Sequence, residues 1–435
     1  MNRLLQLSTY GIKNIENPIT LEFANSTIKT GLNKINNVKG IFGYNGAGKT
    51  ALITSVDFYK SIVSNSNFLL QNDTKRHLDK LINFQKNEFY ISMIFEYAQD
   101  IVIKHSILLK KRETTDDYVI YEEKIELSSG RTLNEKYESV ITKKDNQIYI
   151  NDRFKEQASY ILNTDLSYIS IIQVVVKKML EQNTIDLKNE VNVFEKIILN
   201  LFASIMKIDV YLLSSDKHNN FFADKKGVQE LLSITEKIKN NGINLENYFA
   251  DDDLVSIEDY KNYTLVNKKL EKFIQIFKPE LKEIKLILLE DRKFYHIRKL
   301  FVYENFNVEL EYESSGIKQL VKLFTYLERC ANGSISFIDE IDTNINTFYF
   351  KKLISFFKEY GNGQLIFTTH NVEAMDVLRS VSKSIVVLGN DNKTDTWVPV
   401  GNKSPINEYL LGKFPNSPMN IEDFDFINIF QGDNE

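Results

Sequence analysis

Eight consecutive residues constrain this chain more than anything else in it: Gly43-Tyr44-Asn45-Gly46-Ala47-Gly48-Lys49-Thr50, the pattern G-x-x-x-x-G-K-T. Small residues let successive backbone N–H groups point at one phosphate chain. Lys49 can then reach the β- and γ-phosphates, and the Thr50 hydroxyl can bind Mg²⁺. Residues 38–42 before the loop read as a short strand, and residues 50–56 after it read as the first turns of a helix. That helix would add the partial positive charge of its N-terminus to the site. The residues expected to cradle a nucleotide are therefore Gly43, Asn45, Gly46, Ala47, Gly48, Lys49, Thr50 and Ala51.

With 435 residues the chain has room for two or three domains with sizeable cores. Its formal net charge of −5 argues against a wholesale nucleic-acid wrapper, while a local basic groove stays open. Cys330 is the single cysteine, so no intramolecular disulfide framework exists and a reducing compartment is expected. The N-terminus lacks a long apolar core with a small-residue cleavage site, and no apolar run approaches about 18 residues. A cytoplasmic protein with no membrane span is the expectation.

Periodicity gives the organisation. Residues 4–9 and 19–23 read as strands broken by a turn at Asn17-Pro18. Residues 88–127 carry three β-rich runs, expected as an antiparallel meander. From about 155 to 282 the pattern turns helical: Leu199, Phe202, Ile205 and Met206 recur at three and four, as do Leu270, Phe273, Ile274, Phe277 and Leu281. Heptads are not sustained there, so a compact helical lid or dimerisation domain is expected rather than a long coiled coil. Residues 284–289, 294–303 and 306–312 return to strand character. A helix over 317–330, a buried strand at 335–338, a helix, a strand at 364–368, a helix and a strand at 384–388 follow. Four of the six prolines, Pro399, Pro405, Pro415 and Pro418, mark an irregular but aromatic tail.

The second site element is Ser336-Phe337-Ile338-Asp339-Glu340, an apolar strand ending in two acids. Asp339 would hold Mg²⁺ through a water, and Glu340 would orient and deprotonate the attacking water. Lys49 and Asp339 lie 290 positions apart, so something is inserted between them. Ser314-Ser315-Gly316 opens a helix 25 residues before Asp339, and His370 ends a strand 31 residues after it. The Ser314 turn also has the composition of a plain helix N-cap, and both readings are compatible.

In this order the elements resemble the heads of ABC-type ATPases: Walker A, inserted arm, signature Ser-x-Gly, Walker B Asp-Glu, D-loop and switch histidine. The details resemble the RecF, SMC and OLD branch, and within it the single-chain AAA-type ATPases of bacterial abortive-infection and phage-defence operons. They are the N-terminal hairpin that begins the chain, the signature Glu313-Ser314-Ser315-Gly316, and the run Asp339-Glu340-Ile341-Asp342-Thr343. One departure is Ile345-Asn346-Thr347, where that family commonly carries Leu-His-Pro.

The resemblance implies an α/β fold: a P-loop NTPase head with a mixed central sheet, an N-terminal antiparallel β layer and an inserted mainly helical domain. The expected divisions are 1–150 and 283–390 for the two halves of the head, 151–282 for the insert and 391–435 for the tail. It also implies ATP and Mg²⁺ as cofactors, and Lys49, Glu340 and His370 as catalytic groups. Thr50 and Asp339 would serve the metal, and Ser314, Ser315 and Gly316 would cap the γ-phosphate of a second chain. ATP then becomes part of a homo-oligomeric interface, a dimer or a higher assembly of dimers.

Three functions compete: a phage-defence sensor ATPase with a separate nuclease or toxin effector or a phage-encoded trigger, a DNA-repair or chromosome-maintenance ATPase of RecF or SMC type, and a scaffold that binds ATP without turnover. An intact Lys49, Thr50, Asp339 and Glu340 argue against the last, and net acidity leans against the second. Lesser candidates are Gln71 as a γ-phosphate-sensing glutamine and Tyr10 or Lys13 as nucleotide contacts, against core packing and surface exposure respectively. Asp251-Asp252-Asp253 reads as a solvated loop, because adjacent acids cannot all face one ion. The five histidines, His77, His105, His218, His296 and His370, show no zinc spacing.

Overall fold

The computed structural model describes residues 3–27, 31–98, 101–129, 133, 136–181, 191–212, 253–291, 294–389 and 392–414. Its centre is a six-stranded sheet in the order β11-β16-β17-β5-β18-β19. The strands are β5 (Val38–Phe42), β11 (Ile208–Tyr211), β16 (Ile335–Ile338), β17 (Gln364–Thr368), β18 (Ile385–Leu388) and β19 (Thr394–Thr396). All pair in parallel except β19, which runs antiparallel to β18, so the sheet is mixed.

The four middle strands are buried along their whole length, so they show no polar-out alternation; their polar members, Lys39 in β5, Ser336 in β16 and Gln364 and Thr368 at the ends of β17, are buried too. The period of two survives in which layer each residue serves. Ile335, Phe337 and Ile366 join one core, while Ile338, Leu365 and Phe367 join the core on the opposite face.

The first core lies between this sheet and a seven-stranded antiparallel sheet in the order β10-β9-β8-β7-β6-β1-β2. Those strands are β1 (Leu4–Tyr10), β2 (Ile19–Glu22), β6 (Glu88–Ala98), β7 (Ile101–Lys111), β8 (Tyr118–Ser128), β9 (Glu138–Lys144) and β10 (Gln147–Ile150). A small hairpin, β3 (Ala24–Thr27) and β4 (Gly31–Ile35), precedes β5. Helix α1 (Lys49–Ser64) fills this core with Leu52, Ile53, Val56, Tyr59 and Val63. Helix α2 (Asn72–Leu81) turns the chain back toward the β1–β2 hairpin, where Ile82 bridges Ile12.

Among its described residues the stretch 155–282 carries the helices α3 (Lys155–Ala158), α4 (Ile171–Glu181), α5 (Val193–Met206) and α6 (Tyr260–Phe277). It does not stand as one inserted unit among the described residues. Helices α4 and α5 are buried in the same core as α1, and the periodic Leu199, Phe202, Ile205 and Met206 are that contact. Directly after α5 the chain supplies β11, which pairs with β16 from Ile208↔Ile335 to Tyr211↔Ile338. Helix α6 belongs elsewhere. Its Tyr263, Val266, Leu270 and Ile274 cover a sheet of β12 (Asp253–Ser256), β13 (Glu283–Asp291), β14 (Phe294–Val302) and β15 (Asn307–Glu309). The expected strand over 306–312 closes as a 3₁₀ turn from Leu310 to Tyr312. Asp251, Asp252 and His218 lie outside the described residues.

Helix α7 (Ser315–Ala331) joins the small sheet to the centre. Ile317, Leu320, Val321 and Phe324 pack into the α6 core, while Leu323, Leu327 and Cys330 pack against the central sheet. On that face lie α8 (Thr347–Tyr360) and α9 (Glu373–Leu378), with Phe350, Ile354, Phe357, Met375 and Leu378 buried. Beyond β19, Trp397, Tyr409 of α10 (Pro405–Leu410) and Phe414 form an aromatic cluster on the same core. No described helix is long and apolar enough to cross a membrane.

Candidate functional site

The phosphate loop leaves β5 at Phe42 and enters α1 at Lys49. Two glycines sit at backbone angles that side chains rarely adopt, and Gly43 is required by space as well. A Cβ on Gly43 (φ +141) would stand 2.4 Å from the Leu388 carbonyl oxygen, and Gly48 (φ +100) is the left-handed residue that opens α1. No side chain caps α1, so its first N–H groups have no intrahelical or side-chain acceptor. Asn45 and Gly46 are exposed, whereas Ala47, Gly48, Lys49 and Ala51 are buried. The Lys49 ammonium donates to the carbonyls of Gly43 (2.8 Å) and Tyr44 (2.9 Å). Burial lowers its pKa, and the neighbouring carboxylates of Asp339 and Glu340 partly oppose that.

Strand order decides what faces this loop. β17 lies between β5 and β16, so the ends of three strands converge at one edge of the sheet, where ligands bind open α/β sheets. The Thr50 hydroxyl donates to Oδ2 of Asp339 (3.0 Å), and the Thr368 hydroxyl donates to Oδ1 (2.7 Å). The Thr368 oxygen in turn accepts from the Glu340 N–H (2.8 Å). Asp339 is 2 % exposed, and burial raises its pKa against the opposing pull of those two hydroxyls and of Lys49. Glu340 sits at φ 46, in the left-handed region that a non-glycine residue adopts only when its surroundings fix it. Thr368 holds its N–H, and the Thr343 hydroxyl donates to its carboxylate at 3.3 Å.

His370 follows β17 on an exposed bend. Its pKa is lowered, first by desolvation and then by the Lys49 charge, while Glu340, Asp342 and Asp339 pull it up. Those are the groups of the loop and of the Asp-Glu turn, so Lys49, Asp339, Glu340 and His370 share one electrostatic neighbourhood. The hard-oxygen pair of Thr50 and Asp339 suits Mg²⁺, which takes one or two protein oxygens beside waters and phosphates.

The Ser314-Ser315-Gly316 turn stands apart. Ser314 is the N-cap of α7 and accepts from the Ile317 N–H (3.4 Å), while its own N–H donates to Glu313 (2.9 Å). A Cβ on Gly316 would lie 2.6 Å from the Asn344 carbonyl oxygen, so the turn is packed on the segment after Glu340. Among the described residues no hydrogen bond joins it to the phosphate loop. Helix α7, at 17 residues, is about 25 Å long and runs back along a strand of four residues, about 13 Å. Its first turn therefore overhangs the edge where Asp339 sits.

The structure also places the lesser candidates. Gln71 caps α2 just past the far end of α1, which is about 24 Å long, and so lies away from the phosphate loop. Tyr10 donates to Glu88 (3.0 Å) and stacks on Tyr90. Next to Lys13, Asn14 donates to the Gly46 carbonyl of the phosphate loop, and Ile15 packs beside Gly48. Sequence reasoning also missed Thr368, although it lies two places before His370 at the end of a recognised strand. It missed β11 as well, whose Tyr211 carbonyl accepts from the Asp339 N–H (2.9 Å). A helix passing straight into a four-residue strand that holds Asp209 leaves no turn signal to read; Arg329 pairs with that aspartate at 3.2 Å.

Comparison with solved structures finds similarity to an Smc head bound to the C-winged helix domain of ScpA (TM-score 0.43, 13% identity, covering 91% of this chain and 97% of that one). It also finds similarity to the recombination mediator RecF with ATP (TM-score 0.35, 13% identity, covering 91% and 98%). No curated protein matches the sequence. A family model described as "AAA domain, putative AbiEii toxin, Type IV TA system" matches residues 40–376, from the strand before the phosphate loop to the helix after His370. With more than half of its length matched, from Gly40 to Asp376, the chain belongs to this AAA-domain family.

Proposed function

We propose that this chain binds MgATP at Gly43–Thr50 and hydrolyses it, using the cycle to open and close a homodimer. The observation that carries the reading is the bonded line Thr50–Asp339–Thr368–Glu340, which ties the ends of β5, β17 and β16 together beside Lys49. Lys49 and the uncapped N–H groups of α1 would hold the phosphates, and Thr50 and Asp339 would hold Mg²⁺, which when bound neutralises phosphate charge. Glu340, fixed by its backbone, would take the proton of the attacking water. His370, whose pKa burial and the Lys49 charge lower, would hydrogen-bond the γ-phosphate. The overhanging Ser314 turn would cap that phosphate in a second chain, with its hydroxyl and the first N–H groups of α7.

In the cell this cycle would serve as the sensor of an anti-phage abortive-infection system that acts with a separate effector. The family description names a toxin of a type IV toxin–antitoxin system, and a two-component system supports a chain that works with a partner.

Two variants test the site. Lys49→Ala is expected to abolish ATP binding, because the loop loses its mobile cation. Glu340→Gln is expected to keep binding and lose turnover by about 10²- to 10⁴-fold, accumulating a larger ATP-bound species in light scattering. Normal phosphate release from either variant would remove the assignment.

A further inference from the structure

Phe84 is 80 % exposed, although its neighbours Ile82 and Asn83 are buried. Single exposed aromatics are common and by themselves decide nothing. The place of this one is unusual, because the loop that carries it is locked onto the hairpin that touches the phosphate loop. The Asn83 N–H donates to the Gly11 carbonyl (3.0 Å), and its Nδ2 donates to the Lys13 carbonyl (2.8 Å). Its Oδ1 accepts from the N–H groups of Gln85 (3.0 Å) and Lys86 (3.2 Å), an Asx turn that fixes the backbone on both sides of Phe84. The Lys13 N–H donates to Leu81 (2.6 Å). Asn14 completes the line by donating to Gly46. From Gly46 to Phe84 the path is thus two hydrogen bonds and two peptide steps of about 3.8 Å each. Both ends of the path, Gly46 with Asn14 and Phe84, are exposed, while Asn83 between them is buried.

We propose that Phe84 is the platform on which the purine of the bound nucleotide stacks, the base lying over the hairpin while its phosphates occupy the loop. This rests on the nucleotide site proposed above. A ring held out in water by a fixed turn offers a π-face at little entropic cost, and base–aromatic stacking contributes about 1–3 kcal/mol per base. The Gln85, Lys86 and Asn87 that follow it are polar and exposed.

The test uses the full chain and two probes, MgADP and inorganic pyrophosphate, which has phosphates and no base. Phe84→Ala removes no buried packing, so the variant should fold as the parent does. It is expected to weaken MgADP by about five- to a hundredfold, the stacking energy converted at 1.4 kcal/mol per tenfold. Pyrophosphate affinity should stay unchanged. Phe84→Trp should restore MgADP affinity, and its indole fluorescence should change with MgADP and not with pyrophosphate. Equal MgADP affinity in Phe84→Ala and the parent overturns the platform. Equal losses for both probes overturn it too, since the loop and not the base would then be at fault. A parent chain that binds neither probe removes the nucleotide site itself and the platform with it.

Discussion

At the scale of single residues, the site depends on a threonine that no motif names. Thr368 uses one hydroxyl twice, donating to Asp339 and accepting from Glu340, so it sets both the carboxylate and the strained backbone beside it. Thr368→Val keeps the shape and deletes both bonds. Leaving a buried carboxylate oxygen and an N–H without partners costs about 1–3 kcal/mol. Turnover should accordingly fall by roughly tenfold to a hundredfold. Nucleotide affinity, which resides in the loop, should change little. Measuring kcat and ADP affinity on the same preparation separates the two, and an unchanged kcat sinks the positioning role. Lys49, Thr50, Asp339 and Glu340 were legible in the sequence because their chemistry fixes their spacing from small residues and strand ends. Thr368 was not, since a threonine ending a β-strand is unremarkable until the strand order places it between the other two.

At the scale of elements, β5 carries a feature that apolar patterning hides. Lys39 is 1 % exposed, its ammonium donates to the Lys383 carbonyl and lies 5.3 Å from the centre of the Phe23 ring. Burial, with some repulsion from Lys383, lowers its pKa to about 7. The sign follows from proton binding: between about 7 and 10.5 the unfolded chain holds the proton that the folded chain has lost. Stability from this group therefore rises with pH across that window, and below it the folded state bears the full cost of the buried charge. Lys39→Met should be relatively more stable than the parent at pH 7.5, with the gap in urea midpoint narrowing by pH 9.5. A gap that does not move with pH would show that Lys39 is charged in the fold. The same strand was legible from residues 38–42 through its place, directly before the phosphate loop, despite Lys39. β11 was not, because four residues continuing a helix give periodicity too little to work on.

For the whole molecule, the proposed capping by the Ser314 turn of a nucleotide held by a second chain predicts action between chains. In a two-fold pair, each site would combine one chain's Lys49 with the other's Ser314. A Lys49→Ala chain and a Ser314→Arg chain, each inactive alone, should recover phosphate release on mixing, to at most about half per heterodimer, since one site carries both lesions and the other neither. Heterodimers that form without any recovery would show either that the two sites fire together or that the turn is only a helix cap. A fully active Ser314→Arg chain decides for the cap. The sequence by itself determined the phosphate loop, the acidic strand end, their order along the chain and the α/β class. Each of these is written in local chemistry: small residues where backbone must approach phosphate, apolar runs where strands are buried twice. Only the tertiary structure decided that β17 runs between β5 and β16, that helices α4 and α5 pack into the core around α1, and that Asn14 and Asn83 tie Phe84 to the phosphate loop. Those pairings join residues tens to hundreds of positions apart. They follow from which faces remained to be covered once the local elements had formed, and no local pattern records that.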